Sequence, residues 1–110
     1  MEQLQHEAEQ GNAEAQTTLG ICYVNGYGVT IDRKQAMKYF GDAAEQGHAE
    51  ALYQLGICHY YGYGIPSNQS QAAEFWEVAA NIGHAEAQYQ LGNCYYYGNG
   101  VDAHRGRAKH

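Results

Sequence analysis

Three cysteines, Cys22, Cys58 and Cys94, recur at intervals of 36 residues. Thiols at a fixed spacing invite metal ligation or disulfide bonding. Zinc sites draw ligands from positions two to four residues apart, and the chain has no C-x-x-C. A disulfide needs Cα atoms within roughly 7 Å, whereas equivalent positions on stacked helices lie about 8–10 Å apart or more. The three are therefore expected to be buried thiols filling a small-residue position. The histidines, His6, His48, His59, His84, His104 and His110, are scattered. His48 and His84 stand where Asn12 stands in an earlier copy of the same segment, at the expected start of a helix. Neither has a carboxylate or second histidine three or four residues on, so each reads as a helix cap. There is no G-x-S-x-G, no nucleotide-binding glycine loop and no H-E-x-x-H. No catalytic residue, cofactor or metal is expected, and a hydrolase would lack an activated nucleophile.

Composition narrows the remaining classes. The 110 residues suit one small domain. The net charge of −6 is uneven: residues 1–100 hold eleven acidic residues against Arg33, Lys34 and Lys38, while Arg105, Arg107 and Lys109 crowd the end. An acidic body argues against nucleic acid, which needs clustered Lys and Arg. No run approaches the roughly 20 apolar residues of a membrane-spanning helix. The first ten residues are polar and lack the apolar core of a signal peptide. A cytoplasmic location is the expectation, or an exported one if a leader was removed.

What must position any functional residue is an internal repeat. Gly11-Asn12-Ala13-Glu14-Ala15 returns as Gly47-His48-Ala49-Glu50-Ala51 and as Gly83-His84-Ala85-Glu86-Ala87, at an offset of 36. Leu19-Gly20-Ile21-Cys22-Tyr23 returns in phase as Leu55-Gly56-Ile57-Cys58-His59 and Leu91-Gly92-Asn93-Cys94-Tyr95. Glycine pairs follow each time, Gly26 and Gly28, Gly62 and Gly64, Gly98 and Gly100, each closed by Val29, Ile65 or Val101. Each unit contains two stretches of helical period. Ala15, Leu19 and Cys22 make one apolar stripe; Ala36, Tyr39, Phe40, Ala43 and Ala44, matched by Ala72, Phe75, Trp76, Ala79 and Ala80, make the other. Asp32 with Gln35, and Asn68 with Gln71, have capping-box spacing, and Gly47 and Gly83 sit where a left-handed residue would end a helix. Gly20, Gly56 and Gly92 each cost a helix about 1 kcal/mol relative to alanine, which close helix approach would offset. Six helices are predicted, near 2–10, 12–25, 32–46, 48–61, 68–82 and 84–97, in one all-α domain over 1–110. The units are a partial repeat 1–10, full repeats 11–46 and 47–82, and an incomplete repeat 83–110. The 84–97 helix is expected to lack its usual cover.

The pattern A-E-A-x-x-x-L-G-x-x-Y-x-x-G-x-G-V, then D-x-x-x-A-x-x-Y-x-x-A-A-x-x-G, resembles the Sel-like repeat (SLR) family, a branch of the tetratricopeptide-type solenoids. The resemblance runs from about residue 2 to about 101. It implies a right-handed α/α superhelix of antiparallel helix pairs that serves as an adaptor in protein complexes, and it implies no single partner. Cysteine-rich relatives bridge helices with two cysteines per unit; this chain has one, elsewhere in the unit, so their oxidised character does not carry over.

In such solenoids the first helix of each pair lines the concave groove. Alignment then assigns to it Glu14, Thr17, Ile21, Val24 and Asn25; Glu50, Tyr53, Ile57, Tyr60 and Tyr61; and Glu86, Tyr89, Asn93, Tyr96 and Tyr97. Tyrosine suits an interface because it offers rigid area and one hydroxyl. Tyr53, Tyr60, Tyr89 and Tyr96 are expected to face the groove, while Tyr23, Tyr39 and Tyr95 belong to the core stripe. None of the aligned positions is basic, and Glu14, Glu50 and Glu86 form an acidic ladder. The expected partner is a neutral or basic peptide or helix of another protein. The alternative is homo-association through the open C-terminal repeat.

Overall fold

The computed structural model describes residues 2–97. It is built of six helices, α1 (Glu2–Glu9), α2 (Ala13–Asn25), α3 (Arg33–Glu45), α4 (Ala49–Tyr61), α5 (Gln69–Asn81) and α6 (Ala85–Tyr97). Each agrees with its predicted counterpart to within a residue at either end, and no strand occurs among the described residues. The turn at Gly98 and Gly100, Val101, and the tail from Asp102 to His110 lie outside the described residues, as does the side chain of Tyr97.

The punctuation follows from backbone hydrogen-bond accounting. Asn12, Asp32 and Asn68 accept from the backbone N–H three residues on, at 2.9, 3.1 and 3.0 Å. The reciprocal half of the capping box is absent at α3 and α5, because the Asp32 and Asn68 N–H groups already donate to Tyr23 O and His59 O (2.9 and 2.7 Å). Those two bonds tie the start of each second helix to the first helix of its unit. α3 ends as a Schellman motif: Gly47 N–H donates to Ala44 O and His48 N–H to Ala43 O, with Gly47 at φ 78°. Gly83 repeats this geometry after α5 at φ 103°.

Neighbouring helices pack in chain order from α1 to α6, giving an elongated array of 47 × 25 × 18 Å. The core runs through it as three adjoining clusters, centred on Ala8, Ala15 and Leu19; on Ala36, Phe40, Leu55 and Cys58; and on Leu52, Tyr53, Ala72, Trp76, Ala87 and Cys94. Ala44 and Phe75 border both the second and third clusters and Tyr23 borders the first and second, which makes the core continuous. The helix glycines explain the close packing. A Cβ on Gly20 would lie 2.6 Å from Phe40 Cδ1, and one on Gly56 would lie 2.8 Å from Trp76 Cε2. In the units 11–46 and 47–82 the second helix thus lays an aromatic ring onto the bare glycine of the first. On α6 a Cβ at Gly92 would meet nothing within 4 Å among the described residues.

Candidate interaction surface

Helical spacing divides α2, α4 and α6 into stripes with different neighbours. Ala15 and Leu19, Leu55 and Cys58, and Ala87, Leu91 and Cys94 point into the clusters above, while Ala51 is buried and Cys22 half-buried. Thr17, Gly20 and Val24 form a second stripe against the following helix of the same unit, repeated as Tyr53, Gly56 and Tyr60. A third stripe stays open: Glu14, Thr18, Ile21 and Asn25, then Glu50, Gln54, Ile57 and Tyr61, then Glu86, Gln90 and Asn93. Its members are half-buried or exposed on every helix. Thr18, Gln54 and Gln90 were not singled out from the sequence, though each stands four residues after the ladder glutamate and three before Ile21, Ile57 or Asn93.

The expectation that Tyr53 and Tyr60 face the groove is corrected. Tyr53 is only 8% exposed. Its ring stacks on His84 of the next unit at 4.7 Å, and its carbonyl accepts from Trp76 Nε1 at 3.1 Å. Burial raises the Tyr53 hydroxyl above its ordinary pKa, with the Glu86 carboxylate adding to the shift. Tyr60 is half-buried, tilted over Trp76 at 5.5 Å and edge-on to Tyr61 at 4.9 Å. Tyr89 and Tyr96, their copies on α6, are 70% and 71% exposed because no further helix of the described residues lies beyond them. Tyr61 remains the exposed aromatic of the open stripe, at 58%. It stacks on Tyr63 at 5.6 Å, and Arg33 lies 4.7 Å above the Tyr63 ring.

Glu50 is held in place. It accepts from Gln54 Nε2 (2.8 Å) and faces His84 Nε2 (2.7 Å). His84 Nδ1 accepts from the Ala87 N–H (3.1 Å), so Nε2 carries the proton and donates to Glu50. His84 therefore caps α6 and ties units two and three together. His48 makes no such cap bond. There Thr17 replaces Tyr53 and offers no ring to stack on. Glu14 and Glu86 are exposed, which leaves them available to a partner in a way Glu50 is not.

Cys58 and Cys94 are buried and Cys22 is half-buried, all as free thiols. Burial pushes the Cys58 thiol up to about 11 and raises Cys94 as well. A protonated, buried thiol is a packing group. The linkage has a definite sign: an unfolded Cys58 ionises near 9.0 while the folded one stays neutral, so its stabilising effect is intact below pH 9 and is lost as pH rises towards 11. The loss is expected to reach about 2 to 3 kcal/mol by pH 11. Urea titrations at several pH values check this, since Cys58→Ala should flatten that part of the slope. His59, stacked on Phe75 at 5.2 Å, has its pKa lowered by burial, which favours the neutral ring. No group of three His, Cys, Asp or Glu suited to a metal occurs among the described residues. None of their helices is long and apolar enough to cross a membrane.

Antiparallel helix pairs at a 36-residue period, tied by Gly-x-Gly turns, make this an α/α solenoid of repeat units. The chain belongs to the Sel1 repeat family, whose model matches residues 13–48, 49–84 and 85–109. Solved relatives share the fold. One is c5321, a protective antigen present in uropathogenic Escherichia coli strains displaying an SLR fold, 45% identical with a TM-score of 0.88 over 91% of this chain. The chain spans 21% of the length of that protein. Another is a Sel1 repeat protein from Oxalobacter formigenes, 33% identical with a TM-score of 0.79, covering 90% of this chain and 74% of its own. Among curated proteins none matches the chain significantly. Sel1 repeats commonly serve as protein-interaction modules, and proteins built from them are typically non-enzymatic scaffolds.

Proposed function

We propose that the open stripe of α2 and α4, continued by Glu86, Gln90 and Asn93 of α6, binds an extended peptide or a helix of a protein partner. The observation that carries this reading is a repeated row of acidic, amide and apolar residues left half-exposed on successive helices, with no Lys or Arg in it. Such a row offers Ile21, Ile57 and Tyr61 to apolar side chains and Glu14 and Glu86 to basic ones. The partner segment is accordingly neutral or basic. Electrostatic attraction of that kind sets orientation and association rate and weakens as salt screens it.

Selection from a displayed peptide library tests the reading. Peptides enriched on the wild-type chain should pair apolar residues with Lys or Arg and bind less tightly as salt rises. Tyr61→Ala should weaken them about tenfold, the loss expected of an aromatic anchor. Enrichment of acidic peptides, or binding indifferent to Tyr61→Ala and Glu14→Lys, would overturn it.

A further inference from the structure

We propose that Arg33, set over Tyr63 at one corner of the open stripe, pairs with a side-chain carboxylate of the segment bound there, an assignment that rests on the peptide-binding reading above. The segment then carries opposite charges at its two ends and lies across the stripe in one direction.

Two units build the corner. Tyr61 ends α4, and Tyr63 follows in the turn with its ring stacked on Tyr61 at 5.6 Å. The guanidinium of Arg33, the first residue of α3 in the preceding unit, lies 4.7 Å from the centre of the Tyr63 ring. The turn is seated on the Arg33 backbone, since a Cβ on Gly64 would come 3.1 Å from Arg33 C, O and Cβ. A ring face attracts the cation without using up its N–H donors. Arg33 is exposed and makes no salt bridge among the described residues. Its neighbour Asp32 is turned to cap α3, accepting from Gln35 N–H at 3.1 Å. The free fork of donors suits a carboxylate, which it can grip by two parallel bonds. Repetition alone does not put a cation here, because Gln69 stands at the equivalent place in the next unit.

Charge therefore changes sign from one end of the stripe to the other. Glu14 and Glu50 stand in the first turns of α2 and α4, while the Arg33 corner lies beyond the last turn of α4. From Glu50 to Tyr61 the helix rises about 16 Å. The two ring contacts put Arg33 within about 10 Å of Tyr61, so an extended segment needs about five to eight residues between its basic and acidic ends. Laid the other way, it would set its carboxylate on the glutamates and its cation on Arg33, two repulsions in place of two attractions.

Fluorescence anisotropy with two labelled, end-blocked peptides tests the proposal. The first has two lysines, a run of alternating leucine and alanine of that length, and two aspartates; the second has asparagines in place of the aspartates. The wild-type chain should bind the aspartate peptide about threefold more tightly, the scale of an exposed ion pair. Arg33→Gln, which places here the residue type the repeat already uses at Gln69, should abolish the preference and leave the asparagine peptide unaffected. Arg33→Lys keeps the charge and should keep part of the preference, which a role in packing alone would not predict. A nitroxide beside the aspartates should broaden the amide signals of Tyr63 and Gly64 more than those of Glu14 and Glu50. Equal binding of both peptides by the wild type, or a preference that survives Arg33→Gln, would overturn the corner and leave the groove standing. Broadening centred on Glu14 would overturn it too. Binding of neither peptide would remove the groove reading and the corner with it.

Discussion

Trp76→Ala is expected to lower stability by about 3 to 5 kcal/mol, the usual cost of emptying a large aromatic site in a core that cannot collapse around it. Trp76 of α5 is 1% exposed and packs between α4 and α6. It lies on the bare face of Gly56 in α4, shares a cluster with Ala87 and Cys94 of α6, and donates Nε1–H to Tyr53 O. Its removal therefore opens the α4–α5 and α5–α6 contacts together and takes away the second of the hydrogen bonds to the Tyr53 carbonyl, which keeps its helical partner. A small domain has only about 5 to 15 kcal/mol in total, so this one side chain would account for a large share of it. Urea unfolding followed by circular dichroism reads this directly. A loss below about 1 kcal/mol would mean that the units do not share one core through this side chain.

Gly56→Ala should also destabilise the protein, by about 1 to 3 kcal/mol, although alanine is the better helix former by about 1 kcal/mol. The added methyl would be driven into the Trp76 indole, which its hydrogen bond and close packing hold in place. Gly20→Ala meets the Phe40 ring and should behave alike. Gly92→Ala meets nothing and should stabilise the monomer by about 1 kcal/mol. One repeat position thus changes sign with its cover. Equal melting shifts in the three variants would contradict the packing described for the helix glycines.

Much of this was legible in the sequence, for a physical reason. Helix limits are set by local features: the Asp32 and Asn68 caps, the left-handed Gly47 and Gly83, and apolar spacing within one helix. The 36-residue repetition shows each of them several times. What could not be read locally was which neighbour covers each stripe. Tyr53 and Tyr89 occupy one position of the repeat, yet the first is sealed by His84 and the second is exposed. Thr17 in the first unit hid the role of that position, because a threonine there gives no sign that a ring packs between units. The Glu50–His84 bond spans 34 residues and depends on how far one unit is rotated against the next. Thr18, Gln54 and Gln90 escaped notice because amides and a threonine carry no chemical signature, although their spacing already put them beside Ile21, Ile57 and Asn93.

The central claim is that the open stripe of the first helices, rather than the outer helices, meets the partner. A titration of the isotope-labelled chain with a selected basic-apolar peptide, followed by amide chemical shifts, tests it most directly. Shifts gathered on Glu14, Thr18, Ile21, Asn25, Gln54, Ile57 and Tyr61, and abolished by Tyr61→Ala, are the predicted result. Shifts confined to the outward residues of α3 and α5, such as Lys38, Asp42, Glu74 and Val78, would contradict it.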